Sequence, residues 1–284
     1  RVLGARGYRV TLAEASTELG GRVGRECRLP GLAEWARVRD YRVQQINRMA
    51  NVEVFRASRL DARQILEFGF EHVCLATGAT WRRDGRGRSS YGAIEGFDRD
   101  GVIGVDAVLD DSAAMSGPIV VYDDDHFYMA SVIAEKLRLA GHDVTIVTTA
   151  PQLAPESQRA LDQGRIQARA IELGIGIIVS HRIEAFDGKG VVIANVYGGA
   201  PTTRPSATLV PVTSREPDAA IYGELALDAE RLGSAGIRTL ERIGDCRAPG
   251  LIAAATFAGH RYARALGSGD VEPLRDRVVI GRAA

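Results

Sequence analysis

The sequence has few lysines, few cysteines and no net charge, and each shortage excludes a class of protein. Of its 36 basic residues only Lys136 and Lys189 are lysines, and 36 acidic residues bring the formal net charge to zero. A balanced charge creates no field that attracts nucleic acid or an anionic membrane surface, so neither is expected as a partner. Its apolar runs stay below the roughly 18 residues that a membrane-spanning helix needs.

The cysteine pattern predicts neither a disulfide framework nor a metal site in this chain. Cys27, Cys74 and Cys246 are odd in number, lie far apart and form no C-x-x-C pair. The run from Asp123 to His126 is not expected to bind a metal either, because consecutive acids at the end of a strand point in different directions. Reduced thiols and the lack of a charged-then-apolar leader predict a cytoplasmic protein.

A repeated pattern of helix, glycine and strand organises the chain. Residues 1–12 (RVLGARGYRVTL) and residues 137–146 (LRLAGHDVTI) share it. The repeat predicts two copies of one βαβ nucleotide-fold unit. The first copy opens on a helix rather than a strand, so we expect a strand and a turn before Arg1.

Periodicity and turn residues predict the other elements. Helices are expected at 32–49, at 61–68 behind a capping box of Asp61 and Gln64, at 128–140 and at 251–266. Strands are expected at 8–13, 52–55, 72–77, 119–122 and 143–149, and short β-type runs between 175 and 212 should complete the second sheet.

We therefore predict an α/β fold with two Rossmann-like nucleotide-binding domains, the first discontinuous. Residues 1–116 and 218–284 would form an ADP- or FAD-binding domain, and residues 117–217 a second, degenerate NAD(P)-type domain.

Glu14 is the first candidate binding residue, because it ends the strand at which a carboxylate can accept both ribose hydroxyls of an adenosine. Taken singly, it could equally be a solvated acid at a strand end. The sequence that follows, ASTELGGRV, favours binding. Its paired glycines, of which Gly21 is the second, let the backbone approach a phosphate, and Arg22 can neutralise that phosphate.

Two further segments are weak signals individually. Ala76-Thr77-Gly78 closes a predicted strand with a hydroxyl and a glycine, but strands often end at glycine. Gly244-Asp245 also follows a strand, and the ordinary interpretation is a turn. Asp245 could instead cap the apolar helix after it and accept a cofactor hydroxyl.

In combination these segments carry a family resemblance. The order E-A-x-x-x-L-G-G-R, A-T-G and I-G-D resembles the two-dinucleotide-domain flavoproteins related to glutathione reductase. Three longer blocks resemble the C-terminal region of trimethylamine dehydrogenase and its relatives, over nearly the whole chain. They are LPGLAEW (29–35) with RDYR (39–42), ATGATW (76–81), and IGDCRAP (243–249) running into ATFAGH (255–260).

The resemblance implies a region that holds a nucleotide and carries no catalytic residue or metal site of its own. It implies ADP, as in the amine dehydrogenases, or FAD, as in the 2,4-dienoyl-CoA reductase type. FMN and a cysteine-bound [4Fe-4S] cluster would belong to an N-terminal barrel outside this chain. The G-x-G-x-x-G expected just before Arg1 is not in the sequence, which leaves pyrophosphate binding by this chain open. The implied nucleotide-binding residues are Glu14, Ala15, Gly21, Arg22, Thr77, Gly78 and Asp245.

The implied parent enzyme is an oxidoreductase that dehydrogenates or demethylates a methylated amine or amino acid. Its expected partners are its own barrel domain and an acceptor such as electron-transferring flavoprotein, and it could be a homodimer. One alternative is an NAD(P)H-dependent enoate reductase of the 2,4-dienoyl-CoA type. Another is a non-catalytic scaffold or partner-docking module.

The second domain is expected not to bind NAD(P)H. A dinucleotide fingerprint after the strand at 119–122 would place its glycines at Asp125, Phe127 and Ala130, and only alanine is an acceptable substitute. Phe127 would fill the phosphate space, and the acids at 123–125 would set like charges beside it. Ser214 stands where a glycine is expected by analogy with Gly78.

Overall fold

The structure, a computed structural model, describes residues 1–268. The α-helices among these residues are α1 Val2–Ala5, α2 Arg22–Glu26, α3 Ala36–Ile46, α4 Ala62–Glu67, α5 Val105–Leu109, α6 Met129–Leu139, α7 Gln163–Glu172, α8 Ala220–Ala226, α9 Ala229–Ser234 and α10 Ile252–Ala265. The strands are β1 Val10–Ala13, β2 Val52–Phe55, β3 His72–Leu75, β4 Ala79–Trp81, β5 Ile119–Asp123, β6 Val144–Thr148, β7 Gly176–Ile178, β8 His181–Phe186, β9 Gly190–Asn195, β10 Thr202–Pro205, β11 Thr208–Val212, β12 Arg215–Pro217 and β13 Thr239–Arg242. No helix in this part of the chain is long and apolar enough to cross a membrane.

The chain divides into two compact units. Within the described residues, unit 1 comprises Arg1–Leu19, Asp40–Thr77 and the chain from Ala219 onward, and unit 2 comprises Gly20–Arg39 and Gly78–Asp218. Residues 20–39 and 78–116, which the sequence pattern assigns to the first domain, are therefore part of unit 2. Pairing and packing explain the difference, because β4 pairs with β12 and the apolar side of α5 enters the core of unit 2.

Unit 1 is built on two parallel strand pairs. β1 pairs with β2, with Val10 opposite Val52, and β3 pairs with β13, with His72 opposite Thr239. The predicted capping box is confirmed: Asp61 accepts from the Gln64 backbone N–H, and the Gln64 side chain accepts from the Asp61 backbone. Apolar side chains beneath β3 and α4 form a small core around Leu75.

Unit 2 contains a four-stranded parallel sheet in the order β11-β5-β6-β7. The strands β5, β6 and β11 are buried along their whole length. Such continuous apolar strands are typical of a parallel sheet that is covered on both faces. The structure thus has an α/β fold with parallel sheets.

The prediction that residues 175–212 complete the second sheet is only partly right. β7 and β11 do join that sheet, but β8, β9 and β10 form a separate three-stranded antiparallel sheet. The pattern missed β8 and β10 because all four residues of β10 are exposed and β8 alternates irregularly around a bulge. One face of this second sheet packs against the four-stranded sheet, because Phe186 and Ile193 share a core with Tyr122 of β5 and Leu209 of β11.

Candidate functional site

Glu14 lies directly after β1, at the carboxyl end of a parallel strand pair in unit 1. Its backbone is held on both sides: its N–H donates to the Phe55 carbonyl at 2.8 Å, and its carbonyl accepts from the Ser58 N–H at 2.8 Å. Its Oε1 accepts from the Ser16 N–H at 2.8 Å and from the Ser16 hydroxyl at 3.0 Å. Both of these bonds are made by Oε1, and they orient the carboxylate. A partly exposed, oriented carboxylate at this place has the chemistry needed to accept from a ribose diol.

Three other predicted residues also lie in unit 1. Ala15 is exposed next to Glu14, and Thr77 is exposed two residues beyond β3. Asp245 lies in a short 3-10 turn beyond β13. Because β3 and β13 are parallel neighbours, Thr77 and Asp245 follow strands that end at the same edge of their sheet.

Asp245 lies in a turn, the ordinary interpretation of this segment, and the alternative that it caps α10 is wrong. The residue that precedes α10 is Leu251, which makes no side-chain capping hydrogen bond. Asp245 Oδ1 instead accepts from the Gly250 N–H at 2.9 Å. Residues 246–249 separate Asp245 from the helix. The Asp245 carboxylate therefore stabilises the loop before α10 rather than the first turn of α10.

The predicted glycines and Arg22 belong to unit 2. Gly21 (φ 50°) and Gly78 (φ 85°) have left-handed backbone conformations, which glycine adopts without the strain of a Cβ. Arg22 Nη1 lies 3.3 Å from Glu26 Oε1 one helical turn away. Arg22 therefore stabilises a fully buried carboxylate within its own unit.

The seven residues of the predicted nucleotide site are divided between the two units. Glu14, Ala15, Thr77 and Asp245 lie in unit 1, whereas Gly21, Arg22 and Gly78 lie in unit 2. Sequence reasoning missed Glu26, although the Arg22–Glu26 spacing of four residues is typical of an ion pair on a helix.

Unit 2 has its own candidate crevice at the carboxyl end of β5. The chain runs from β5 through β6 to β7 on one side and returns to β11 on the other, which makes the β5–β11 boundary a topological switch point. Ligands of open α/β sheets bind in the crevice outside the strand ends at such a point. The residues that follow these three strands are Asp124 after β5, Thr149 after β6 and Thr213 after β11.

Two of the three acids that were expected to set like charges beside a phosphate are buried. Asp123 and Asp124 are fully buried. Asp123 Oδ1 accepts from the His126 N–H at 2.9 Å, and burial raises the pKa of the Asp123 carboxyl to about 7. Only Asp125 remains partly accessible, and burial raises its pKa to about 6 against the opposing effects of Arg215, Arg88 and Arg22. Of the three acids, only Asp125 is therefore placed to repel a phosphate at this crevice.

Asp124 is the centre of a hydrogen-bond network that the sequence did not reveal. Its Oδ2 accepts from the Ser89 N–H at 2.8 Å, and its Oδ1 accepts from the Ser89 hydroxyl at 2.7 Å and from the Thr149 hydroxyl at 3.0 Å. His126 Nε2 lies 2.8 Å from the same Thr149 hydroxyl. Burial lowers the pKa of His126, with Asp124 opposing the shift.

Unit 2 also lacks a counterpart of Glu14. When the repeated segments are aligned, Val10 and Val144 correspond, so Thr148 takes the place of Glu14. Thr148 is fully buried, and its hydroxyl accepts from the Ala150 N–H at 3.3 Å. This position offers no carboxylate to a ribose.

Comparison with known proteins identifies relatives of both units. Residues 103–208 match the OYE-like second alpha/beta domain family. The chain is 32% identical to dimethylamine dehydrogenase of Hyphomicrobium sp. (strain x), over 95% of this chain and 40% of that protein. The structure is similar to histamine dehydrogenase from Rhizobium sp. 4-9, with a TM-score of 0.92 and 39% identity over 96% of this chain and 42% of that one.

A further similar structure is the 6-hydroxypseudooxynicotine amine oxidase from Pseudomonas geniculata N1. Its TM-score is 0.91, with 36% identity over 94% of this chain and 40% of that one. The chain thus spans between 40% and 42% of the length of these three relatives. The similarities support the relationship to the trimethylamine dehydrogenase group that the sequence motifs indicated, and the α/β fold is shared with both structures.

Proposed function

We propose that this chain is the nucleotide-holding region of a flavin-dependent oxidoreductase that dehydrogenates or demethylates an amine. The supporting observation is that similarity to three proteins named for amine oxidation or dehydrogenation extends over 94% to 96% of the chain. A similarity confined to one nucleotide domain would carry no such implication, because that fold serves many functions. A methylated amine or amino acid is the proposed substrate class.

In this proposal the chain binds the adenosine end of ADP or FAD through Glu14. The carboxylate that Ser16 orients would accept the ribose hydroxyls, with Thr77 and Asp245 at the neighbouring strand ends. Ala15, Gly21, Arg22 and Gly78 complete the proposed set. ADP and FAD share this end of the molecule, so the same residues suit either.

The redox chemistry is assigned to a part of the enzyme outside this chain. A [4Fe-4S] cluster takes four thiolates, whereas the chain has three cysteines, and no group of three or more potential metal ligands occurs within residues 1–268. Burial raises the pKa of Cys74 to about 12, and Cys246 is fully buried in the core of unit 1. These thiols do not fit a cluster, so we place the cluster and FMN in an N-terminal barrel.

The proposed partners follow from placing the FMN and the cluster outside this chain. The barrel of the same protein would contact this region, and electron-transferring flavoprotein or a similar protein would accept the electrons. We also propose a homodimer and a cytoplasmic location.

We further propose that unit 2 binds no NAD(P)H, which favours an amine dehydrogenase over an NAD(P)H-fed reductase. Thr148 is buried where a ribose-binding acid would stand, and Phe127 and Asp125 occupy two fingerprint glycine positions.

Analysis of released cofactors tests the proposal. The full-length gene product is purified and denatured, and its supernatant is separated by chromatography with standards of ADP, FAD and FMN, alongside iron analysis. We expect ADP or FAD together with FMN and about four irons per chain, the content of one cluster. FAD accompanied by NADH oxidation would favour the reductase. The absence of both FMN and adenine nucleotide would overturn the proposal in favour of a scaffold.

A further inference from the structure

A segment of unit 2 lies across the crevice at the carboxyl ends of its central strands. We call residues 82–91 the arm. The arm begins where the Arg82 N–H donates to the Ser214 carbonyl at 2.9 Å, just beyond β11. It continues to Ser89, which contacts the ends of both β5 and β6 through Asp124 and Thr149. The arm therefore contacts residues that follow all three strands of the switch point.

The buried Asp124 carboxylate holds the arm by accepting hydrogen bonds through both of its oxygens. Both of its carboxylate oxygens are used by one arm residue, Ser89, through the backbone N–H at 2.8 Å and the hydroxyl at 2.7 Å. Two adjacent donors on one carboxylate reproduce the pattern that a ribose diol offers to a nucleotide-binding acid. Because Asp124 is fully buried, releasing Ser89 would leave its carboxylate without these donors in a water-poor site.

Gly87 brings the arm backbone into direct contact with this site. A Cβ at Gly87 would overlap the Asp124 carboxylate and would lie 3.1 Å from Thr213 Cβ. The backbone of Gly87 does not adopt a positive φ, so the requirement for glycine here is one of space. Space that a ligand would need beside Asp124 and Thr213 is taken by the arm.

Arg88 provides a second attachment of the arm. Its Nη1 lies 2.7 Å from Glu156 Oε1, and its guanidinium lies over the Phe127 ring at 5.5 Å from the ring centroid. Phe127 stands in the loop that would form the phosphate-binding turn. The arm is thus attached at two places, at Asp124 and at Phe127 and Glu156.

We propose that the arm is a built-in occupant of the unit 2 crevice and that Asp124 is its latch. It takes the place of a dinucleotide at the ends of β5 and β6 and keeps that place closed. This inference deepens the proposal that unit 2 binds no NAD(P)H, because it names the group that fills the site.

Hydrogen exchange with mass spectrometry tests the latch, using two pairs of matched variants. Gly87→Ala is compared with Gly92→Ala, since a Cβ at Gly92 meets no atom within 4 Å. Ser89→Ala is compared with Ser90→Ala, because the Ser90 hydroxyl makes a local bond to the Gly92 carbonyl at 2.9 Å. We expect exchange in peptides covering 84–91 to rise about tenfold in Gly87→Ala and Ser89→Ala but not in their controls. Unchanged exchange in β5 and β6 would show that the variants remain folded.

Equal exchange of the arm in all four variants would overturn the latch. Occupancy is tested in the unaltered protein with millimolar NADH, which should leave exchange in 84–91 unchanged. A saturable NADH-dependent change there would show that the crevice admits the dinucleotide and would overturn the proposed occupancy. Failure to find a nucleotide in the purified enzyme would instead overturn the proposed function and would not alter these exchange rates.

Discussion

Tyr128 donates its hydroxyl hydrogen to Glu26 Oε2 at 3.0 Å, although the two residues are 102 positions apart. The Glu26 carboxylate is fully buried, and its other oxygen lies 3.3 Å from Arg22. A buried carboxylate is strongly destabilising unless donors surround it. Burial and the nearby Glu26 carboxylate raise the pKa of the Tyr128 hydroxyl, so this donor keeps its hydrogen at neutral pH.

Tyr128→Phe should therefore destabilise unit 2 by about 1.5–3 kcal/mol, the range for a hydrogen bond to a charged group. Phenylalanine keeps the edge-to-face contact with Trp35, whose ring centroid is 4.7 Å away, so the loss isolates the hydroxyl. Urea denaturation measures the change. Tyr197→Phe is the control, because Tyr197 is exposed and its loss of a hydroxyl should change the free energy of unfolding little. Equal stability of the two variants would contradict the role of Tyr128.

Glu14→Ala should weaken ADP binding by the full-length protein roughly 10- to 100-fold, which corresponds to losing one or two charge-assisted hydrogen bonds. Isothermal calorimetry on nucleotide-depleted protein measures the affinity. Glu53→Ala is the matched control, since Glu53 is an exposed acid on the adjacent strand β2. Affinity that is unchanged in Glu14→Ala would remove this residue from the site.

NADH and NADPH should show no saturable binding to unit 2 at concentrations up to the millimolar range. The expectation rests on Phe127, buried Thr148 and the arm that covers Asp124. Fluorescence titration with ADP as a positive control for the first site makes the measurement. Low-micromolar binding that disappears on mutation of the loop 123–127 would contradict it and would favour the reductase alternative.

The stability of Asp123→Asn relative to the unaltered protein should be higher at pH 8 than at pH 5. Burial raises the folded-state pKa of Asp123 to about 7, with Asp125 and Asp124 adding to the rise and the His126 N–H opposing it. The folded protein therefore keeps a proton that the unfolded chain loses near pH 4, and the unaltered protein loses stability as the pH rises toward 7. Asparagine does not titrate, so the variant should gain roughly 2–3 kcal/mol over the unaltered protein between pH 5 and pH 8.

Asp187→Asn provides the control for that experiment. The N–H groups of Lys189 and Gly190 lower the pKa of the Asp187 carboxyl, so its contribution is lost only as the pH falls through that lowered pKa. Its stability difference from the unaltered protein should be the same at pH 5 and pH 8. If Asp123→Asn behaved in the same way, the Asp123 carboxyl would not be protonated in the folded state.

Local sequence patterns by themselves determined much of the secondary structure and the place of Glu14. The strand β2 has the predicted bounds, and the capping box of Asp61 forms as expected, because apolar periodicity and side-chain-to-backbone bonds act over a few residues. The position of Glu14 after a strand followed from the same periodicity.

Only the tertiary structure decided which polar groups are buried and which segment covers them. Ser89 and Asp124 are 35 positions apart, and nothing in either local sequence indicates that the arm lies across the end of β5. The separate sheet of β8, β9 and β10 and the inclusion of residues 78–116 in unit 2 likewise depend on long-range pairing. The burial and the pKa of a side chain depend on neighbours from distant segments of the chain. The local sequence therefore did not reveal that Asp123 and Asp124 are fully buried.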